Sequence, residues 1–324
     1  MLRIIQKRNY WFATSGILLV FAIISLITWE LKLGIDFTGG SLLEASFNTA
    51  RPEINTIKSA LDPLELGSLI VQPMGDKSVV LRFQNTSEEK HQEVLKKLNE
   101  LAAPAETKDK PKVEIISGGD SGVVIGSNTG NNVEELRYNA VGPTVGKELR
   151  SKSITAMALV IIAILCYIAY AFRRISKPVA SWKYGLSAII ALLHDAVITL
   201  GVIAILGKLF NIEVDTSFIV AILTVLGFSV HDTIVVFDRI RENLPKSNEN
   251  FENTVNSSIN KTLARSINTT LVTMLTLLSI IIFGGSTIKG FALVLFIGFF
   301  FGAYSSIFLA SPMLVVWDKM TRKA

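Results

Sequence analysis

The chain has 324 residues, half of them hydrophobic, with 32 basic against 27 acidic side chains and a formal net charge of +5. One cysteine, Cys166, excludes an intramolecular disulfide and a zinc site built of cysteines. The positive excess is not spread as on a nucleic-acid-binding surface. It sits in short groups between long uncharged runs: Arg3, Lys7 and Arg8; Arg173, Arg174, Lys177 and Lys183; Arg239, Arg241, Lys246, Lys261 and Arg265; Lys319, Arg322 and Lys323. Apolar runs of this length suit a bilayer, whose core takes about 20 consecutive apolar residues per helix. Basic residues in short loops mark the cytoplasmic side, and no nucleic-acid partner is expected.

The first run, Trp11 to Trp29, is too long for a signal-peptide core and lacks a small-x-small cleavage site before Gly34. It reads as an uncleaved span, with Tyr10, Trp11 and Trp29 as interfacial aromatics. Residues 1–32 thus hold the N-terminus and first span, and 33–152 form an extracytoplasmic domain. That domain opens on a junction, Gly34-Ile35-Asp36-Phe37-Thr38-Gly39-Gly40, whose paired glycines allow positive φ or close backbone approach. Asp36 reads as a structural cap.

Within the domain, residues 41–47 read as a strand and 53–61 as a helix. Residues 68–73 and 78–84 are strands around a Met74–Lys77 hairpin turn. Residues 87–102 form an amphipathic helix with Val94, Leu95, Leu98 and Leu101 on one face. Further strands are expected at 112–117 and 134–141, with Gly/Ser/Asn/Pro-rich loops at 103–111 and 117–132. The βαββαβ order is that of a ferredoxin-like α+β unit. Val141-Gly142-Pro143-Thr144-Val145-Gly146 then starts a helix at Pro143 that leads into the second span.

Residues 153–324 hold five more spans, about 154–172, 183–206, 217–238, 267–284 and 290–317. If each crosses once, the links 173–183 and 239–266 fall with both termini on the cytoplasmic side. In 239–266, Phe251, Val255, Ile259 and Leu263 recur every four residues, which predicts a helix lying against the membrane surface. The reading is an α-helical polytopic protein of six transmembrane helices with one ferredoxin-like outer domain.

Polar residues inside spans are the candidate functional groups, because a charge at the bilayer centre costs at least about 2.5–3.5 kcal/mol. Asp232 lies seven residues before Arg239, about 10 Å along an ideal helix. His231 precedes it but lies about 100° around the helix, on another face. His194 and Asp195 repeat the pattern one span earlier. Each carboxylate is read either as an interhelical hydrogen bond or as part of a proton relay. Arg265 is either a snorkelling terminal arginine or a cationic partner of Asp232. Ser266, Thr269, Thr270, Thr273 and Thr276 recur as a polar stripe that either packs helices or lines a wetted path. Gly298 and Gly302 form a GxxxG that favours close packing, with Ser305 and Ser306 following.

The sequence has no P-loop, GxSxG, HExxH or kinase-type set. Neither ATP hydrolysis nor another enzymatic activity is expected, and no cofactor or metal. Any work must draw on an ion gradient or a partner.

The strings LGIDFTGGSLLE, VGPTVGKELR, LLHDAVITLGV, GFSVHDTIVVFDRIREN, SINKTLARSINTTLVTMLTLL and IKGFALVLFIGFFFGAYSSIFLASPM occur in this order. Together they resemble the SecF family of bacterial protein translocase subunits, in the SecD/SecF group. The resemblance implies a half-sized fold of the resistance-nodulation-division (RND) type in the bacterial inner membrane. It implies pairing with SecD beside the SecYEG channel and the SecA motor, with YajC as a further candidate, and exported polypeptides as the cargo. It also implies use of the proton gradient to assist late translocation and release. Its intramembrane aspartate falls on Asp232, its fifth-span arginine on Arg265, and its third-span pair on His194 and Asp195. Two other readings stand beside it: a small-molecule exporter of the same superfamily, which ordinarily has twelve spans and two outer domains, and a non-transporting scaffold.

Overall fold

The computed structural model describes residues 2–84, 87–102, 132–171 and 179–323. The strand expected at 112–117, most of the loops around it, and Arg173, Arg174 and Lys177 lie outside these residues. The chain divides into two compact units, one of residues 1–34 and 151–324 and one of residues 35–150.

The first unit begins with a 3-10 turn, Ile5–Lys7, and helix α1, Arg8–Trp29. Among the described residues six helical segments are long and apolar enough to span a bilayer: Ile5–Trp29, Pro143–Ala171, Ser181–Phe210, Thr216–Lys246, Phe251–Phe283 and Ile288–Met320. α1 approaches the third of them through small residues. A Cβ added to Gly201 would fall 2.5 Å from Ala22 Cα, so only glycine lets the two backbones meet there. After α1 the chain is tied back by Gly34 N–H donating to Val214 O and Val214 N–H donating to Lys32 O, both 2.8 Å.

The second unit starts with a single helical turn, α2 (Ile35–Thr38), and turns into strand β1 (Gly40–Phe47). Gly39 and Gly40 have φ of 76° and 127°. A Cβ at Gly39 would fall 2.9 Å from Pro143 Cα, and one at Gly146 would fall 3.1 Å from Gly39 N. The junction glycines are thus required by both backbone conformation and space. There follow α3 (Ile54–Leu61), β2 (Ile70–Met74), β3 (Ser78–Phe83), α4 (Glu88–Ala102) and β4 (Val133–Val141). The sheet is antiparallel in the order β2-β3-β1-β4, the ferredoxin-like arrangement of a βαββαβ chain. Alternation does the work in β3, where Val79, Leu81 and Phe83 face inward. They pack with Leu43, Phe47, Ile57, Leu61, Val94 and Leu98, at about 1.5–3 kcal/mol for each large side chain buried. On α4, Glu88 accepts from Gln92 Nε2 at 2.8 Å and lies 3.0 Å from His91 Nδ1. The His91 ring stacks on Tyr138 of β4.

Helix α5, Pro143–Ala171, starts at its proline, where the missing N–H costs no hydrogen bond. In the first unit follow α6 (Ser181–Phe210) and α7 (Thr216–Asn243). Asn211 ends α6 in the left-handed conformation, and Asp215 caps α7 by accepting from Phe218 N–H at 2.9 Å. Helix α8, Phe251–Phe283, is capped by Asn250, and α9 runs Ser286–Ser305. A five-residue π turn, Ser306–Ala310, joins α9 to α10, Ser311–Lys323.

The segment after α7 differs from the expected surface helix. α8 continues unbroken for 33 residues because no glycine or proline interrupts it, and at about 1.5 Å per residue it exceeds a hydrocarbon core of about 30 Å. Its amphipathic first turns dock on the chain's N-terminus instead. Phe251, Val255 and Ile259 are buried. Asn256 Oδ1 accepts from the backbone N–H of Ile4 at 3.0 Å and of Ile5 at 3.2 Å. Arg8 and Lys319 both pair with Glu252, tying α1, α8 and α10 together.

Candidate functional site in the helical unit

The polar core of this unit is built where α6, α7 and α9 meet. Gly298 and Gly302 let α9 press against α7: a Cβ at Gly298 would collide with the Val225 side chain, and one at Gly302 would lie 3.2 Å from Ser229 Cβ. The GxxxG is a packing device, as its spacing suggests. That contact brings Ser229 of α7 and Ser305 of α9 onto Asp195 of α6. Both hydroxyls donate to Asp195 Oδ2 at 2.6 Å. His194 Nδ1 lies 2.9 Å from Oδ1, so this nitrogen carries the proton when Asp195 is ionised. Asp195 is fully buried and His194 is 2 % exposed. One turn away, Thr233 and Ser306 share a hydrogen bond of 2.9 Å. Tyr304 stacks beside His194, and its hydroxyl is 3.2 Å from Ser15 Oγ on α1.

Asp232 lies three residues beyond Ser229 on α7. It is 5 % exposed, and its Oδ2 is buried without a hydrogen-bond partner. His231 is exposed and lines a separate cavity of about 390 Å³ with Tyr167 of α5, so the two neighbours do face apart.

The expected Asp232–Arg265 pair is not formed. Arg265 is exposed and takes part in no ion pair among the described residues. It sits on the outer side of α8, whereas Ser266 and Thr270 face inward at 3 % and 5 % exposure. The stripe is therefore split. Thr269, Thr273 and Thr276 donate to Arg265, Thr269 and Val272 carbonyls of their own helix, as threonines do where no interhelical acceptor is in reach. Only Ser266 and Thr270 turn toward the packed interior. Of the junction residues, Gly34, Gly39 and Gly40 have the backbone role described above, and Asp36 sits in the α2 turn.

Sequence reasoning missed Ser229, Thr233, Tyr304 and the bonding role of Ser305. The available signal was geometric: Gly302 and Ser305 fall three residues apart on one helix face, and Ser229 and Asp232 do likewise.

The helices that build this clasp and the Gly-Gly junction both fall within segments that match known families. Residues 124–320 match the family model for the C-terminal part of the protein export membrane proteins SecD/SecF, and residues 24–50 match the SecD/SecF GG motif. The chain belongs to the SecD/SecF family. The protein translocase subunit SecF of Thermobaculum terrenum is 43 % identical over 98 % of this chain and 94 % of its own length. The SecF subunit of Anaerolinea thermophila is 36 % identical over the same shares. Among solved structures, SecDF of Thermus thermophilus, described as a translocon-associated membrane protein, matches with a TM-score of 0.75 and 27 % identity. The match covers 97 % of this chain and 38 % of that longer one. A super-membrane-facing form of SecDF matches with a TM-score of 0.63.

Proposed function

We propose that the chain is the SecF half of a two-subunit membrane unit completed by SecD. In this reading it uses the proton gradient to assist late translocation and release of exported polypeptides. It works beside SecYEG and SecA, with YajC as a further partner. Both termini and the links 173–183 and 239–266 lie in the cytoplasm, and the ferredoxin-like unit lies outside.

The observation that carries the proposal is the contrast between two buried carboxylates on adjacent spans. Asp195 has donors on both oxygens and is a fixed point. Asp232 has a buried oxygen with none. An unpaired charge there is costly, so gaining or losing a proton at Asp232 changes its surroundings more than at Asp195. In this account Arg265 approaches Asp232 in another state of the cycle, drawn by the ionised carboxylate and released on protonation. The exposed apolar stripes of α5 and α8 that carry Leu159, Ile162, Ile267, Leu271 and Leu275 supply the surface for SecD.

The experiment is release of a secreted precursor from vesicles holding the translocon with this chain and SecD. Release that depends on the chain and is lost when an ionophore collapses the gradient supports the proposal. Chain-dependent release indifferent to the gradient contradicts it.

A further inference from the structure

Three helix faces in the spanning unit converge without closing. Gly16 of α1, Ile190 and His194 of α6, and Leu309, Trp317 and Met320 of the last span line a groove of about 360 Å³ whose walls are almost wholly apolar. α1 and α10 both pack on α6. α1 presents glycine to the space between them, which is open enough that a Cβ on Gly16 would touch nothing within 4 Å.

The groove has two distinct ends. At one, the Lys183 ammonium lies 5.6 Å from the Trp182 ring and 5.8 Å from the Trp317 ring, and Trp317 Nε1 donates to Ser187 Oγ at 3.2 Å. Tryptophan with lysine marks the headgroup level of a bilayer. At the other end stand His194 and Leu309. Leu309 and Met320 are eleven residues apart, about 16 Å of helix, which is about half of a 30 Å hydrocarbon core. The groove's volume of about 360 Å³ is well short of the roughly 1,300 Å³ that a helix of about 10 Å diameter fills over that length, so a slender chain fits it and a helix does not. Water is a poor occupant, since it needs two to four polar partners and these walls are apolar.

We propose that this groove binds one acyl chain of a membrane phospholipid, with the lipid phosphate at the Lys183 end and the chain terminus beside His194. The bound chain seals that side of His194, whose Nε2 is buried without a hydrogen-bond partner. It thereby keeps water from reaching the Asp195 clasp from the lipid.

The test uses the full-length chain in phosphatidylglycerol vesicles in which one acyl chain ends in a photoactivatable diazirine. Adducts are mapped by mass spectrometry after irradiation. The expected result is labelling of Leu309 and Ile190 above that of Val272, a 64 % exposed residue of α8 that serves as the lipid-facing control. Gly16→Phe should fill the groove and abolish the deep adducts while leaving Val272 labelling unchanged. Val316→Trp, which plugs the groove from the opposite wall, should do the same and serves if Gly16→Phe does not insert. Deep adducts that never exceed Val272, or that persist in both plugged variants, overturn the proposal. So does their loss on adding SecD, which would assign the groove to a protein helix.

Discussion

Replacing Ser229 and Ser305 by alanine, singly and together, probes the clasp on Asp195. Both hydroxyls reach the same oxygen, Oδ2, at 2.6 Å. Alanine at 229 keeps the Cβ that lies against Gly302, so the α7–α9 contact is retained. A hydrogen bond to a charged group is worth about 1.5–3 kcal/mol in general. Polar pairs inside membranes average about 0.6 and reach about 1.7. Each single change should therefore cost about 1 kcal/mol, because the second serine still satisfies Oδ2. The double change leaves that oxygen buried with no donor, which adds a penalty of about 1–3 kcal/mol. The double variant should thus lose about 3–5 kcal/mol, clearly more than the sum of the singles. The assay is reversible unfolding of the full chain in detergent micelles, compared as a double-mutant cycle. Additivity within about 0.5 kcal/mol, the range for independent sites, would refute the clasp.

Gly298→Ala should lose about 1–3 kcal/mol through overpacking against Val225, and Val225→Ala in the same chain should recover most of it, read as a melting temperature. For topology, with Cys166 first replaced by serine, a cysteine at Glu93 should be labelled by an impermeant reagent from outside intact cells and one at Ser247 should not. The opposite pattern reverses the orientation. Glu88 is held below the usual carboxylate range, first by the hydrogen bond from Gln92 and then by that from His91. Its lowered folded pKa means that its support of α4 is present above the ordinary glutamate range and is lost as pH falls through the lowered value. The protection factors of the α4 amides, taken relative to the intrinsic exchange rate at each pH, should fall on acidification, and Glu88→Gln should flatten that dependence.

Much of the architecture is readable from side-chain type alone. Six apolar runs are long because a bilayer demands it, and β3 alternates because one face of its sheet is buried. Pro143 and the paired glycines mark the junctions because few other residues tolerate those backbone conformations. The clasp was not readable in this way. Ser229 and Ser305 are two serines among many in the spans, and only the register imposed by Gly298 and Gly302 brings them to Asp195. Asp232 and Asp195 are both single acids in apolar runs, and sequence does not show which of them finds donors. Arg265 was expected beside Asp232 from the order of the spans. Order alone does not determine which face of α8 turns inward, and the structure turns Ser266 and Thr270 inward instead. The first turns of α8 have the periodicity of a surface helix, but the partner that buries them is the N-terminus, some 250 residues away in sequence (Asn256 with Ile4 and Ile5).

We propose that Asp232, rather than Asp195, is the carboxylate whose protonation couples the gradient to export. The direct measurement is gradient-driven release of a secreted precursor from vesicles carrying Asp232→Asn, with insertion and SecD binding verified in the same preparation. Release should continue only at the rate seen with the gradient collapsed. Asp232→Glu should keep part of the gradient dependence, and Asp195→Asn should lower the amount of folded protein more than the gradient dependence per folded unit. Full gradient dependence in Asp232→Asn would contradict the claim and leave that residue a packing role.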